Sequence, residues 1–159
     1  MAVNHLQKKG PHSRFFDAKA TKHTRHIYAE QFGPGSEIVT KKCVRNMGIK
    51  HLLWIDDEQG HTIAATMLRE SGYNHYRICG LAVATAYQQK GFGSMLLRSI
   101  EDALPNDCKV ELGVDVGKST TERLQAWYAR FGYKQVDADE FEVVMVKHID
   151  RASDLGAAE

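Results

Sequence analysis

The segment Leu81-Ala82-Val83-Ala84-Thr85-Ala86-Tyr87-Gln88-Gln89-Lys90-Gly91-Phe92-Gly93-Ser94-Met95-Leu96-Leu97 constrains the fold more than any other stretch of the chain. It continues the unbroken apolar run that starts at Ile78 and ends at Ala84, which suits a central strand covered on both faces. It also opens a run of helical spacing, in which Phe92, Leu96, Ile100, Ala103 and Leu104 are apolar and Pro105-Asn106 ends the pattern. A strand therefore ends, a glycine-bearing loop turns, and a helix begins at once. Free N–H groups at a helix N-terminus, together with the positive end of its dipole, attract an anion, and Gly91 and Gly93 let backbone approach it without a Cβ in the way. The loop is predicted to hold a pyrophosphate. A bare G-x-G is also an ordinary connecting turn, and spacing alone does not separate the two. Two other nucleotide loops fail on the residues: a Walker A loop needs Lys-Ser or Lys-Thr where Ser94-Met95 stand, and a dinucleotide fingerprint needs a third glycine where Leu96 stands.

Elements on either side extend this reading. Ala18 to Phe32 and Ser36 to Met47 are predicted helices divided by Gly33-Pro34-Gly35. His51 to Ile55 and Thr62 to Leu68 are predicted strands joined through Asp56-Asp57-Glu58-Gln59-Gly60, and Arg77 to Ala84 is the central strand. Val110, Leu112, Val114 and Val116 alternate with Glu111, Gly113 and Asp115 at the period of a strand. Ser119-Thr120-Thr121-Glu122 matches a capping box ahead of a helix whose apolar face is Leu124, Trp127, Tyr128 and Phe131, and Gly132 suits a left-handed C-cap. Tyr133 to Val136 and Phe141 to Ile149 close the sheet as a hairpin. Two helices precede the first predicted strand, and the order calls for a mixed α/β sheet with helices on both faces.

At 159 residues with 43% hydrophobic content, the chain has the size of one domain, expected over residues 1–152, with 153–159 and the polar N-terminal dozen residues expected to fray. Twenty-one Lys and Arg against twenty Asp and Glu leave a net charge of +1, so charge names no nucleic-acid partner. No apolar run has the length of a signal-peptide core or a membrane span, which predicts a soluble, cytoplasmic protein. Cys43, Cys79 and Cys108 are odd in number and form no C-x-x-C pair, arguing against a disulfide framework or a cysteine-based zinc site. His23 and His26 share a helix face without a third ligand, and no metal is expected.

Gln88-x-x-Gly91-x-Gly93, preceded by Leu81-Ala82-Val83, resembles the acetyl-CoA signature Q/R-x-x-G-x-G/A of the GNAT superfamily of N-acetyltransferases. Tyr128, Gly132 and Tyr133 resemble that family's Y-x-x-x-G-F/Y helix end, so the resemblance covers Arg77 to Lys134. It implies a mixed, mostly antiparallel sheet of six to seven strands with about four helices, opened in a V beside the central strand. It also implies direct acetyl transfer from acetyl-CoA, or another acyl-CoA, to a primary amine of a small molecule, peptide or protein. Backbone of Leu81, Ala82 and Val83 would hold the pantetheine arm, and Gln88, Gln89, Lys90, Gly91, Phe92, Gly93 and Ser94 the pyrophosphate. Tyr128 would protonate the departing thiolate, although its place on the stripe with Leu124 and Phe131 equally suits core packing.

The chain departs from the family pattern in three places. Thr121 and Leu124 stand where Asn and Ala are frequent, so Thr121 or Ser119 offers a hydroxyl to the pantetheine in place of the amide. Arg77 stands where many members carry a glutamate base. An amine with a pKa near 10 must lose a proton before it attacks a thioester, and Glu70 and His75, flanking the turn into the central strand, are the candidate bases, although both also suit a solvated turn. The acceptor is left open: Lys19, Lys22, His23 and His26 form a basic stripe on a helix that would border the acceptor groove, while Asp137, Asp139, Glu140 and Glu142 could attract a cationic amine. Two other functions stay in play, a non-catalytic acyl-CoA-binding module and a toxin-like acetyltransferase acting on aminoacyl-tRNA; a homodimer is compatible with each.

Overall fold

The computed structural model describes residues 1–7, 19–32 and 48–151. Within them the chain runs β1 (Val3–Gln7), α1 (Lys19–Phe32), β2 (Ile49–Asp56), β3 (Thr62–Gly72), β4 (His75–Val83), a 3₁₀ turn (Thr85–Tyr87), α2 (Phe92–Ala103), β5 (Cys108–Asp115), α3 (Thr121–Arg130), β6 (Lys134–Ala138) and β7 (Glu142–Ile149). The seven strands lie in the order β1-β2-β3-β4-β5-β7-β6. β1–β2, β2–β3, β5–β7 and β6–β7 are antiparallel, and β4–β5 is parallel. This is the mixed, mostly antiparallel sheet that the sequence predicts. Three α-helices fall within the described residues rather than about four; the helix predicted over Ser36 to Met47 and the tail 153–159 lie outside them.

β1 corrects the reading of the N-terminus as a fraying polar stretch. Val3–Gln7 pairs with β2 from Val3↔Ile55 to Gln7↔His51, yet no residue of the strand is fully buried. The backbone ladder makes the strand rather than an apolar face, so no alternating pattern announces it.

The chain divides into two compact units, Met1–Glu70 with Cys79–Ala103, and Ser71–Ile78 with Leu104–Glu159. In the first, Ile27 and Tyr28 of α1 pack with Ile49 and Leu52 of β2, Ala65 and Met67 of β3, and Cys79 and Ala82 of β4. Leu53, next to Leu52 and on the opposite face of β2, lines a cavity of about 280 Å³ with Ser99 and Ala103 of α2. Helices therefore cover both faces of this part of the sheet. The apolar stripe of α2 buries Leu96, Leu97 and Ile100 completely, each side chain contributing about 1.5–3 kcal/mol.

The turn between β2 and β3 forms around Asp57, whose Oδ1 accepts the N–H groups of Gln59 and His61 at 2.9 Å each, and Gly60 takes the left-handed conformation at φ +83°. In the second unit β5 buries Cys108, Val110, Leu112 and Val114 in strict alternation, and α3 packs on it. Cys79 and Cys108 are free, buried thiols, and Cys43 lies outside the described residues.

His51 is buried on β2, with its Nδ1 2.9 Å from Nε2 of His5 on β1. Burial, and then the neighbouring His5, push its pKa down to about 4. The unfolded chain takes up a proton near the ordinary imidazole value of about 6.5, so the stability tied to neutral His51 is complete above that pH and is lost as pH falls toward about 4. Urea unfolding followed from about pH 7 to about pH 4 is expected to show this decline, and a His51→Leu variant a shallower one.

Candidate functional site

The central strand is not regular. Gly80 holds φ +76° within β4, and Cys79 and Ala82, three residues apart, lie in one core cluster. Simple alternation would put those two on opposite faces, so the strand changes phase at Gly80, as at a glycine bulge. The Gly80 carbonyl accepts the Tyr28 hydroxyl at 3.3 Å, which burial keeps protonated by raising its pKa. Leu81 and Val83 follow, half-buried, and the Ala84 N–H donates to Ile63 O at 2.8 Å.

The strand then turns through Thr85–Tyr87, and the end of α1 holds that turn. The Glu30 carboxylate accepts the Thr85 N–H at 2.7 Å and also its hydroxyl; these bonds hold the carboxyl below the usual carboxylate range. Gln31 Nε2 donates to Thr85 Oγ1 at 3.1 Å. Gln88 Nε2 donates to Gln31 Oε1 at 2.9 Å and to Val83 O at 3.1 Å. The Gln88 side chain thus closes the loop on itself and fastens it to α1.

Gln89 and Gly91 both lie in the left-handed region, at φ +61° and +88°. Gly91 O accepts the Met95 N–H at 3.0 Å as the first bond of α2, so the N–H groups of Phe92, Gly93 and Ser94 have no partner within the helix. A Cβ at Gly91 would meet nothing within 4 Å, so the loop borders open space beside the helix N-terminus, and its glycine is required by φ rather than by crowding. Gly93 has no positive φ. Tyr87 packs edge-on against Phe92 with centroids 5.9 Å apart, and Lys90 Nζ lies 5.7 Å from the Tyr87 ring. An exposed loop of left-handed backbone, free N–H groups and one lysine fits a phosphate group.

The candidates in the second unit differ from expectation. The capping box does not form: α3 begins at Thr121 with Thr120 as N-cap and no side-chain cap. The Thr121 hydroxyl instead donates to Asp115 O at 2.6 Å and accepts the Lys118 N–H at 3.1 Å, so its proton is committed to closing the β5–α3 turn. Ser119 is exposed. Phe131 is the C-cap, and Gly132, the residue just beyond it, is left-handed at φ +95°. Tyr128 is 8% exposed, edge-on to Trp127 and Tyr133.

Of the candidate bases, Glu70 on β3 pairs with Lys50 at 3.0 Å, and both are well exposed. His75 opens β4, half-buried, with Nε2 3.3 Å from Oε1 of Glu111 on β5. Arg77 Nη1 lies 3.3 Å from Glu111 Oε2, and Arg77 Nη2 donates to both oxygens of Glu142 at 3.1 Å. Glu142 is therefore engaged, and Asp139 Oδ1 accepts the N–H groups of Phe141 and Glu142 in the β6–β7 turn, leaving few free carboxylates there. His26, of the basic stripe, is exposed. Glu30, Gln31, Thr85 and Glu111 escape a reading of the sequence because each acts through a partner at least 34 positions away.

No group of three or more His, Cys, Asp or Glu that could hold a metal occurs among the described residues, and no helix among them is long and apolar enough to cross a membrane. The sequence matches the family described as "Acetyltransferase (GNAT) family" over residues 18–133. No curated protein matches it significantly. Similar solved structures include GCN5 of Tetrahymena, with a TM-score of 0.68 at 14% identity over 94% of this chain and 96% of that one. The PaiA N-acetyltransferase of Thermoplasma acidophilum, in complex with coenzyme A, gives 0.65 at 16% identity, covering 93% and 99% of the two chains. An aminoglycoside 6'-N-acetyltransferase complexed with coenzyme A gives 0.66 at 11% identity, covering 93% and 97%.

Burial pushes the Tyr128 phenol up to about 12, above an ordinary value of 10. Stability tied to the neutral phenol is complete below pH 10 and is lost as pH rises through the folded value. Unfolding midpoints in urea measured at rising alkaline pH are expected to fall in that window, and to fall less steeply in Tyr128→Phe.

Proposed function

The chain belongs to the GNAT family of acetyltransferases, and from that premise we propose that it transfers an acetyl group from acetyl-CoA directly to a primary amine of a small molecule, peptide or protein. The observation that carries this reading is the loop entering α2, with left-handed Gly91, unpartnered N–H groups and open space beside them. Backbone of Gln89, Lys90, Gly91, Phe92, Gly93 and Ser94 would bind the pyrophosphate, and backbone of Leu81, Ala82 and Val83 the pantetheine arm. Gln88 would act by bracing the loop, since its amide is bonded to Gln31 and Val83. Replacing Gly91 by glutamate puts a side chain at φ +88° and a negative charge beside the phosphates. Calorimetry is expected to show coenzyme A binding weakened by about tenfold or more, since both φ strain and charge repulsion oppose the complex. Undiminished binding by a folded variant would remove the anchor of the reading.

When bound, acetyl-CoA supplies an activated carbonyl and a thiolate leaving group. Tyr128 is the proposed proton donor to that sulfur, and it is fully protonated at neutral pH because its pKa is raised to about 12. Complete transfer from such a phenol to a thiolate whose conjugate acid has a pKa near 8.5 is uphill, so the hydroxyl serves as a strong hydrogen-bond donor more than as a full acid. Tyr128→Phe is expected to lower turnover by about a hundredfold, the modest end of general-acid effects, with acetyl-CoA affinity unchanged. Equal rates at saturating substrates would assign the ring to packing.

His75 suits the part of base better than Glu70, which is exposed and bound to a lysine. The position where many family members carry a strand glutamate is filled by Arg77, itself paired to two carboxylates, and this favours a second reading, a silent acyl-CoA-binding module. Thiol release from acetyl-CoA with a panel of amines, peptides and charged tRNA separates the two: release with any acceptor establishes an enzyme.

A further inference from the structure

The side chains of His75, Arg77, Glu111 and Glu142 form a relay across three strands. β4 and β5 pair in parallel through His75↔Lys109, Tyr76↔Val110 and Arg77↔Glu111, so Arg77 and Glu111 occupy the last paired rung. Each oxygen of Glu111 has one neighbour: Oε1 lies 3.3 Å from His75 Nε2, and Oε2 lies 3.3 Å from Arg77 Nη1. The other arm of Arg77 is held by both oxygens of Glu142 at 3.1 Å. Space for that clasp comes from Gly113, where a Cβ would stand 2.1 Å from Glu142 Oε2 and 2.9 Å from Arg77 Nη2.

His75 Nε2 is buried and has no aligned hydrogen bond, while 36% of the side chain is exposed. A neutral imidazole carries its proton on one nitrogen only. A lone pair on Nε2 would face the anionic oxygen of Glu111 with water excluded. A proton there meets an acceptor 3.3 Å away once the ring turns to align with it.

Resting on the amine-acetylation reading above, we propose that Glu111 is a positioning residue that holds His75 in the Nε2–H tautomer, leaving the Nδ1 lone pair free to take a proton from the acceptor ammonium. The carboxylate that many family members place on β4 is supplied here from β5, and Arg77 and Glu142 fix its orientation. The acceptor nitrogen loses two protons. One passes to His75 Nδ1, directly or through a water, and then to solvent; the other reaches the CoA sulfur. The C–N bond forms as the C–S bond breaks, with its electron pair leaving on sulfur.

The test uses the full chain labelled with ¹⁵N in its histidine rings, at a pH where the imidazoles are neutral, with His75 assigned from the spectrum of His75→Gln. Long-range ¹H–¹⁵N correlations are expected to show His75 as Nε2–H in the wild type and as a mixture or Nδ1–H in Glu111→Ala. Glu111→Gln has one oxygen, which the donor-only Arg77 takes, so its NH2 turns to His75 Nε2 and the ring is expected to shift toward the Nδ1–H form. With an amine substrate, Glu111→Ala and Glu111→Gln are each expected to lose about tenfold or more in kcat at unchanged KM for acetyl-CoA. A wild-type His75 in the Nδ1–H form, or the same tautomer in Glu111→Ala, overturns the proposal. Should Glu111→Ala not fold, the wild-type and Glu111→Gln spectra decide alone. Absence of turnover with every acceptor would instead defeat the acetylation reading, and the tautomer would still show whether Glu111 sets the ring.

Discussion

A left-handed residue in the middle of a strand governs the first unit. Because Gly80 sits at φ +76°, Cys79 and Ala82 both reach the core beneath α1, and the Gly80 carbonyl turns to meet the Tyr28 hydroxyl. A regular strand would bury Ile78, Gly80 and Ala82 on one face and leave Cys79 on the other. Everything downstream to the helix N-terminus inherits that change of phase, including the orientation of Leu81 and Val83.

The loop that follows is held from outside itself. Its glycine and its left-handed Gln89 give it conformational freedom that α1 takes away again, through Glu30 and Gln31 on Thr85 and through Gln31 on Gln88. These contacts are exposed, so each is weak taken alone, and their effect is one of geometry. A phosphate-binding loop gains affinity when its donors are already in place, since less ordering is left for the ligand to impose.

Strands with one buried face were legible in the sequence: the alternation from Val110 to Val116 marks β5, which ends at Asp115 with Val116 exposed, and the stripe Phe92, Leu96, Ile100, Ala103 and Leu104 marks α2. β1 was not, because it is defined by its pairing with β2 and its side chains are partly or fully exposed, so no apolar alternation marks it. The capping box does not form because α3 starts at Thr121 with Thr120 as its N-cap, one position later than a Ser119 cap requires, a start that depends on where the preceding strand and turn end. The glycine loop was legible as a motif, but not the reason for its glycine: close backbone approach is the expectation, whereas Gly91 is required by its φ of +88° and Gly93 has no positive φ. Glu111 was visible only as the polar half of an alternating strand, since the partners that give it meaning, His75 and Arg77, arrive from β4 by a register that sequence does not encode locally.

The missing side chain at Gly113 carries a consequence for how this sequence can change. A methyl group there would displace the Glu142 carboxylate and crowd the Arg77 guanidinium, so a change at 113 is felt at 77 and 142. A larger residue at 113 would push the ends of these two flexible side chains aside and open the clasp between them. Glu142 and its partner Arg77 are 65 positions apart in the chain. The absent side chain at 113 thus keeps the link between two distant parts of the chain open to loss by a single substitution.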